Sequence, residues 1–237
     1  GEETLLRAGW DRGIEFEWSL DSKWIVFDQA DMNFNQDVFI VPSDGSATPI
    51  NISRHPDNDG GAKLSADAKV IAFSSERDSE EFDVWYVFLD RNLEKLAAPE
   101  LEKYFEDAEK AAKKRKPLDP NKVRKALAKA TAAAVADEET AVGQDEPVNV
   151  ADADADADAD TDTDTDAEDA AEEADVPPFT TKDLETAYLR LRKLTSLPGN
   201  ESRLTMLPAG NTVLFGSRTS APGVSGLYSV KWNGTGR

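Results

Sequence analysis

The sequence has no cysteine and a single histidine, His55, in 237 residues. Disulfides, thiolate metal sites and cysteine nucleophiles are therefore excluded, and any Ser/His chemistry must run through His55. Basic residues are scarce beside acidic ones: 27 Lys and Arg face 47 Asp and Glu, a formal net charge of -20. A field of that sign repels phosphates before contact, so no nucleic-acid partner is expected and an anionic membrane surface is disfavoured. There is no run of roughly 18 apolar residues to insert into a bilayer, and the opening GEETLLRAGWDR lacks the apolar core of a signal peptide. The chain starts without Met, and we expect it to be a piece of something longer.

What is present is unevenly distributed. Ala151 to Asp175 holds thirteen acidic residues and no basic one, largely as alternating Asp with Ala or Thr. Like charges at every second position repel, and nothing larger than Ala is available to bury, so this tract reads as a disordered, solvated linker. A calcium loop would need Gly turns and a bidentate Glu at fixed places, and neither is there. Upstream, Leu101, Tyr104, Phe105, Ala108 and Ala111 or Ala112 recur at helical spacing between Pro99 and Ala133. Pro117 and Pro120 interrupt, and Asn121 is placed to cap a second helix through Lys129. Lys113, Lys114, Arg115 and Lys116 suit the solvated C-terminal end of the first helix, where the dipole favours cations.

The two flanks are β-rich and repetitive. Trp18 to Phe27 (WSLDSKWIVF) matches Leu64 to Phe73 (LSADAKVIAF) at an offset of 46, and the same offset relates Asp37 to Val41 with Asp83 to Val87. A degenerate third copy runs through Leu207 to Phe215 and Leu227 to Gly234. Each copy alternates like short strands joined by turns, and four strands in about 46 residues is the period of a β-propeller blade. The turn carboxylates Asp21 and Asp67 can accept backbone N–H bonds. Ala209 replaces them in the third copy, whose turn should be less well fixed. Trp18, Trp24, Phe27, Phe73, Trp85 and Phe215 read as core between blades rather than a ligand pocket.

The expected fold is all-β: an incomplete β-propeller of four-stranded antiparallel blades with a helical and disordered acidic insertion. Residues 1–90 would carry the first blade and three strands of the second, 91–133 the helical insertion, and 134–182 the acidic linker. Residues 183–237 would supply the last strand of the second blade, from Leu189 to Thr195, and a partial third blade ending at Trp232. The corresponding residues Phe27, Phe73 and Phe215 should occupy equivalent places.

Several motifs carry a family resemblance: WSLDSKWIVF with DVFIVPSDGS, NISRHPDND at Asn51 to Asp59, SSER with DVWYVFL at Ser74 to Leu89, and ELEKYF at Glu100 to Phe105 running into AAKKRKPL. With LRLRKLTSLPGNE at Leu189 to Glu201 and LYSVKW at Leu227 to Trp232, the sequence resembles the propeller portion of tricorn-like serine peptidases, and more broadly TolB-like propellers. That resemblance implies a parent peptidase whose catalytic region lies outside this chain, with the propeller guiding or filtering peptides toward it. Its partners would be peptides or unfolded protein segments, the rest of the parent, and further copies through the parent. The alternative is a TolB-like protein-binding propeller attached to no peptidase.

No catalytic, cofactor-binding or metal-binding residue is carried over, and no cofactor is expected. His55 falls in a propeller loop motif without a matched Ser and orienting carboxylate. A self-contained enzyme using carboxylates is disfavoured, since these fall on turns and in the acidic tract, where burial is not expected to raise a pKa. Asn51, Asn200 and Asn233 match the short glycosylation sequon. The lack of cysteine suits the cytoplasm, with the periplasm as the alternative.

Overall fold

The computed structural model describes residues 3–9, 14–78, 80–114, 179–218 and 225–236. The expected second helix from Asn121, Arg115 and Lys116 of the basic cluster, and the acidic stretch from 134 to 178 lie outside the described residues.

Three antiparallel sheets follow one another along the chain. β1 (Phe16–Trp18), β2 (Trp24–Ala30), β3 (Gln36–Pro42) and β4 (Ile50–Asn51) pair in that order. β5 (Asp59–Leu64), β6 (Val70–Ser75) and β7 (Asp83–Phe88) form the second sheet, which β8 (Arg192–Lys193) completes from beyond the insertion. β9 (Asn200–Met206), β10 (Thr212–Arg218) and β11 (Gly226–Lys231) form a three-stranded third. These are two full blades and one partial blade of an unclosed β-propeller. Helix α1 (Ala98–Lys114) follows a 3-10 turn at Leu93–Lys95. α2 (Thr181–Glu185) precedes a second such turn at Ala187–Leu189.

The 46-residue offset is a register as well as a spacing. Phe27, Phe73 and Phe215 are each the fourth residue of the second strand of their sheet, paired across to Phe39, Trp85 and Tyr228 respectively. Period-2 alternation then sends opposite faces of each sheet to different neighbours. Val26, Val38, Ile40 and Ile52 of the first sheet pack on Leu64, Ile71, Phe73 and Val87 of the second. The other face of the second sheet, Val70, Ala72, Val84 and Tyr86, packs on Leu204, Val213, Phe215 and Val230 of the third. The second sheet is covered on both sides, and every residue of β6 is buried.

Against the outward face of the first sheet, Ile25, Phe27 and Val41, pack Leu6 of the N-terminal segment and Phe39, with Arg7 over the Phe27 ring. This corrects the expectation for Trp18. It is 50% exposed, whereas its repeat counterpart Leu64 is 9% exposed. Leu64 has a preceding sheet against it, and Trp18 has none among the described residues. Trp24 is half-buried against Phe179, and Trp85 lies half-buried beneath Arg77.

The turns show what each copy uses to hold its shape. In the first two, Ser19 and Ser65 accept the N–H of Trp24 and Val70, while Asp21 and Asp67 accept the N–H of Lys23 and Lys69. Ser22 and Ala68 sit in the left-handed region at φ 62 and 59, and Gly210 takes that place in the third turn at φ 81. The third turn lacks both side-chain acceptors, yet it is not left loose. Tyr86 donates to the Gly210 carbonyl at 2.8 Å, and the Ala66 N–H donates to the Pro208 carbonyl at 2.8 Å. The neighbouring sheet supplies what the local sequence omits.

The insertion starts as part of the core. Leu101 and Phe105 of α1 are buried among the second and third sheets, with Tyr104 and Trp232 against them. Tyr104 also donates to Asp67 Oδ2 at 2.7 Å. The apolar face runs through Ala108 and Ala112, and Ala111 is exposed. On the return, Phe179 is buried and Thr180 caps α2 in a reciprocal box with Asp183. Structure therefore begins inside the stretch expected to run as linker through 182. Arg190 anchors the return, donating to the Phe88 and Asp183 carbonyls and to Glu94 at 2.7 Å each.

Candidate functional site

Two linkers between sheets share a pattern that the strand repeat does not reveal. Ser53-Arg54-His55-Pro56-Asp57-Asn58-Asp59 leads from β4 to β5, and Thr195-Ser196-Leu197-Pro198-Gly199-Asn200-Glu201 leads from β8 to β9. Both read Ser/Thr, two residues, Pro, one residue, Asn, then an acid. The structure uses them alike. Ser53 Oγ and Thr195 Oγ1 accept the N–H of Val38 and Val84 at 3.0 and 2.8 Å. Asn58 and Asn200 Oδ1 accept the N–H of Gln36 and Phe82 at 3.2 and 2.9 Å. Asp59, the first residue of β5, and Glu201, the second of β9, are buried against the same Ser or Thr.

These acids are clamps rather than reactive groups. Arg77 grips Asp59 through Nη2 at 2.9 and 3.1 Å to its two oxygens, while donating to Ser75 and to the Ser53 carbonyl. Among the described residues Glu201 has no such cation. It accepts from Thr195 Oγ1, from the Val84 N–H at 3.1 Å and from the Leu197 N–H at 3.3 Å. Burial pushes both carboxyls above their ordinary range, opposed by these hydrogen bonds. Ser217, the counterpart of Ser75, has a buried Oγ with no hydrogen-bond partner among the described residues.

The open site lies where the sheets converge. Two cavities of about 350 and 420 Å³ share Glu15, Asp28 and Gly61. The larger also reaches Gln36, Asp59 and Gly60, and Glu201 to Arg203 of the third sheet. Asp28 on β2 is 8% exposed. Its Oδ2 accepts the Gly61 N–H at 2.9 Å. A Cβ on Gly60 would stand 3.0 Å from that oxygen, and Gly61 has φ 66, so both glycines permit the approach. Burial first, then the Glu15 charge among smaller effects, holds the Asp28 carboxyl up at about 6.

This overturns the expectation that no carboxylate is raised by burial. Asp28, Asp59, Asp83 and Glu201 all are. They sit on strands, at positions where one sheet covers another, rather than on turns.

Asp28 has a stability signature that follows from its sign. A carboxyl raised from 3.8 to about 6 on folding binds its proton more tightly in the folded state. Its contribution is present below pH 4 and is lost as pH rises to about 6, at a cost on the order of 2 kcal/mol after allowing for residual hydration. Asp28→Asn should therefore stabilise the chain by that order at pH 7 and by little at pH 3.5. Urea melts at the two pH values test this, and an unchanged or lower midpoint at pH 7 would contradict it.

His55 is used by its own loop. Its N–H donates to Asp37 Oδ1 at 3.2 Å, and its Nδ1 accepts the Asp57 N–H at 3.3 Å. No Ser hydroxyl is bonded to the imidazole among the described residues. Asn51 Oδ1 accepts from Ser53 and Arg54, Asn200 Oδ1 from Phe82, and Asn233 Oδ1 from Thr235, so all three sequon amides serve backbone turns. No group of three metal-ligating side chains occurs among the described residues. No helix among them is long and apolar enough to cross a membrane.

No protein-family model and no curated protein matches the chain. Among solved structures, it is similar to a protein described as TolB from Agrobacterium tumefaciens, at TM-score 0.46 and 10% identity, over 94% of this chain and 47% of that one. It is also similar to the tricorn protease, at TM-score 0.42 and 12% identity, over 87% of this chain and 15% of that one. The chain thus spans about half the length of the first and a small part of the second.

Proposed function

We propose that this chain is a peptide-binding propeller segment of a tricorn-like serine peptidase, guiding or filtering peptides toward a catalytic region that it does not contain. The observation that carries the binding half is the pair of cavities around Asp28, which open between sheets and combine acidic side chains with Phe16, Phe27 and Phe82 and with the cations Lys63 and Arg203. The peptidase half rests on the motif resemblance, and a TolB-like binding propeller without a peptidase is its alternative. The parent would work in the cytoplasm, with the periplasm as the alternative compartment.

Both halves have direct tests. The immobilised 237-residue chain should retain a subset of a randomised peptide mixture at low salt, and retention of none would overturn the binding reading. The same chain should release no product from casein or from fluorogenic peptides, with His55→Ala indistinguishable from the parent sequence. Cleavage that disappears in His55→Ala would place a catalytic centre here and reject the non-catalytic assignment.

A further inference from the structure

We infer that the cavities around Asp28 hold a cationic side chain of a bound peptide, a lysine ammonium or an arginine guanidinium. This rests on the peptide-binding reading above and adds the chemistry of the bound group.

The argument begins with how the other buried carboxylates are treated. Asp59 is paired with Arg77, Asp83 with Lys193 at 2.7 Å, and Asp90 with Lys69 at 3.5 Å. Among the described residues Glu201 has no cation but takes three donors. Asp28 has neither. The Gly61 N–H occupies Oδ2, and among the described residues Oδ1 takes no hydrogen bond although the residue is more than nine-tenths buried. Lys63, on the wall of the smaller cavity, is already ion-paired with Glu17.

A carboxylate on a mostly buried residue, with one oxygen fixed and the other facing a cavity, gains when a cation completes it. Here the backbone sets its direction. Gly60 and Gly61 let β5 come close enough for the N–H to hold Oδ2. Asp28 lines both cavities, and Glu15 lines them with it. The volumes, about 350 and 420 Å³, admit a long side chain but not a folded domain. Several carboxylates line the cavities, but among the described residues no three of them come together as a resident divalent ion would call for. An organic cation needs only one or two carboxylates and gains from their desolvation. The net charge of -20 draws such a ligand toward the chain.

The test uses the full 237-residue chain and two pools of pentapeptides, randomised at four positions, with either arginine or the neutral isostere citrulline in the centre. Calorimetric titration should show the arginine pool binding about tenfold or more tightly, as expected for a desolvated charge pair. Asp28→Asn should bring the two pools to near equality, with its melting curve confirming that it is folded. Glu15→Gln provides a second variant and should weaken the arginine pool severalfold while leaving the citrulline pool alone. Equal binding of both pools to the unmutated chain removes the cation site and leaves peptide binding standing. Binding of neither pool overturns both. Discrimination that survives Asp28→Asn, or an Asp28-dependent response to calcium chloride in place of arginine peptides, rejects the assignment.

Discussion

Glu201→Ala is expected to lower the unfolding free energy by about 3–4 kcal/mol, since it strands buried donors that had a charged acceptor. Those donors are the Thr195 hydroxyl and the Leu197 N–H, with the Val84 N–H left to Thr195 Oγ1 alone, and the residue they surround is 0% exposed. Glu201→Gln should cost less, about 1–2 kcal/mol, because the amide keeps one acceptor oxygen and sheds the buried charge. Asp59→Ala belongs with the larger effect, because it leaves the Arg77 guanidinium buried without its partner. Urea melts with unchanged slopes would confirm a loss of stability rather than a change of unfolded state. If Glu201→Ala melted within about 0.5 kcal/mol of the parent, the range for neutral surface changes, the linker would not be the clamp described above.

Phe105→Ala should cost a similar amount, about 3–5 kcal/mol, for the lost transfer energy and the cavity left behind. The ring is 1% exposed and packs against Phe88, Tyr104 and Trp232 at centroid distances of 6.4, 5.1 and 5.8 Å. Tyr104→Phe, which removes only the hydroxyl donated to Asp67, should cost about 1 kcal/mol. The comparison separates docking of the helix from capping of the turn beneath it. Amide exchange along α1 and the emission of Trp232 should both change in Phe105→Ala. If neither moves and stability holds, α1 is not part of the core.

The two clamps also show where reading the sequence stops. Phe27, Phe73 and Phe215 could be aligned because strand alternation makes apolar residues recur, and their equal strand positions follow from that register. Trp18 shares the alignment but not the environment, since burial depends on a neighbouring sheet that no local pattern encodes. Asp59 and Glu201 were hidden among 47 acids. Their signal was the shared spacing of six residues from Ser53 and Thr195, with Pro and Asn at fixed places between. It lies in linkers, where the search for alternating strands does not look. Asp28 carried no local sign at all. Its burial arises only when Gly60 and Gly61 of the next sheet come against it.

The late arrival of β8 sets a clock during synthesis. The bond from the Val84 N–H to Thr195 joins residues 111 apart in sequence. At a ribosomal rate of 5–20 residues per second, β7 waits roughly 5–20 s for its last neighbour. The first sheet has no comparable wait, because β4 follows β3 within a short loop. For those seconds β7 presents an unpaired edge rich in Val, Trp, Tyr and Phe, a template for pairing with another nascent chain. The residues emerging meanwhile include the thirteen acids between Ala151 and Asp175, and like charges on neighbouring nascent chains repel. Neutralising those acids should therefore lower the soluble yield from translation at 37 °C more than it changes the melting point of the finished protein.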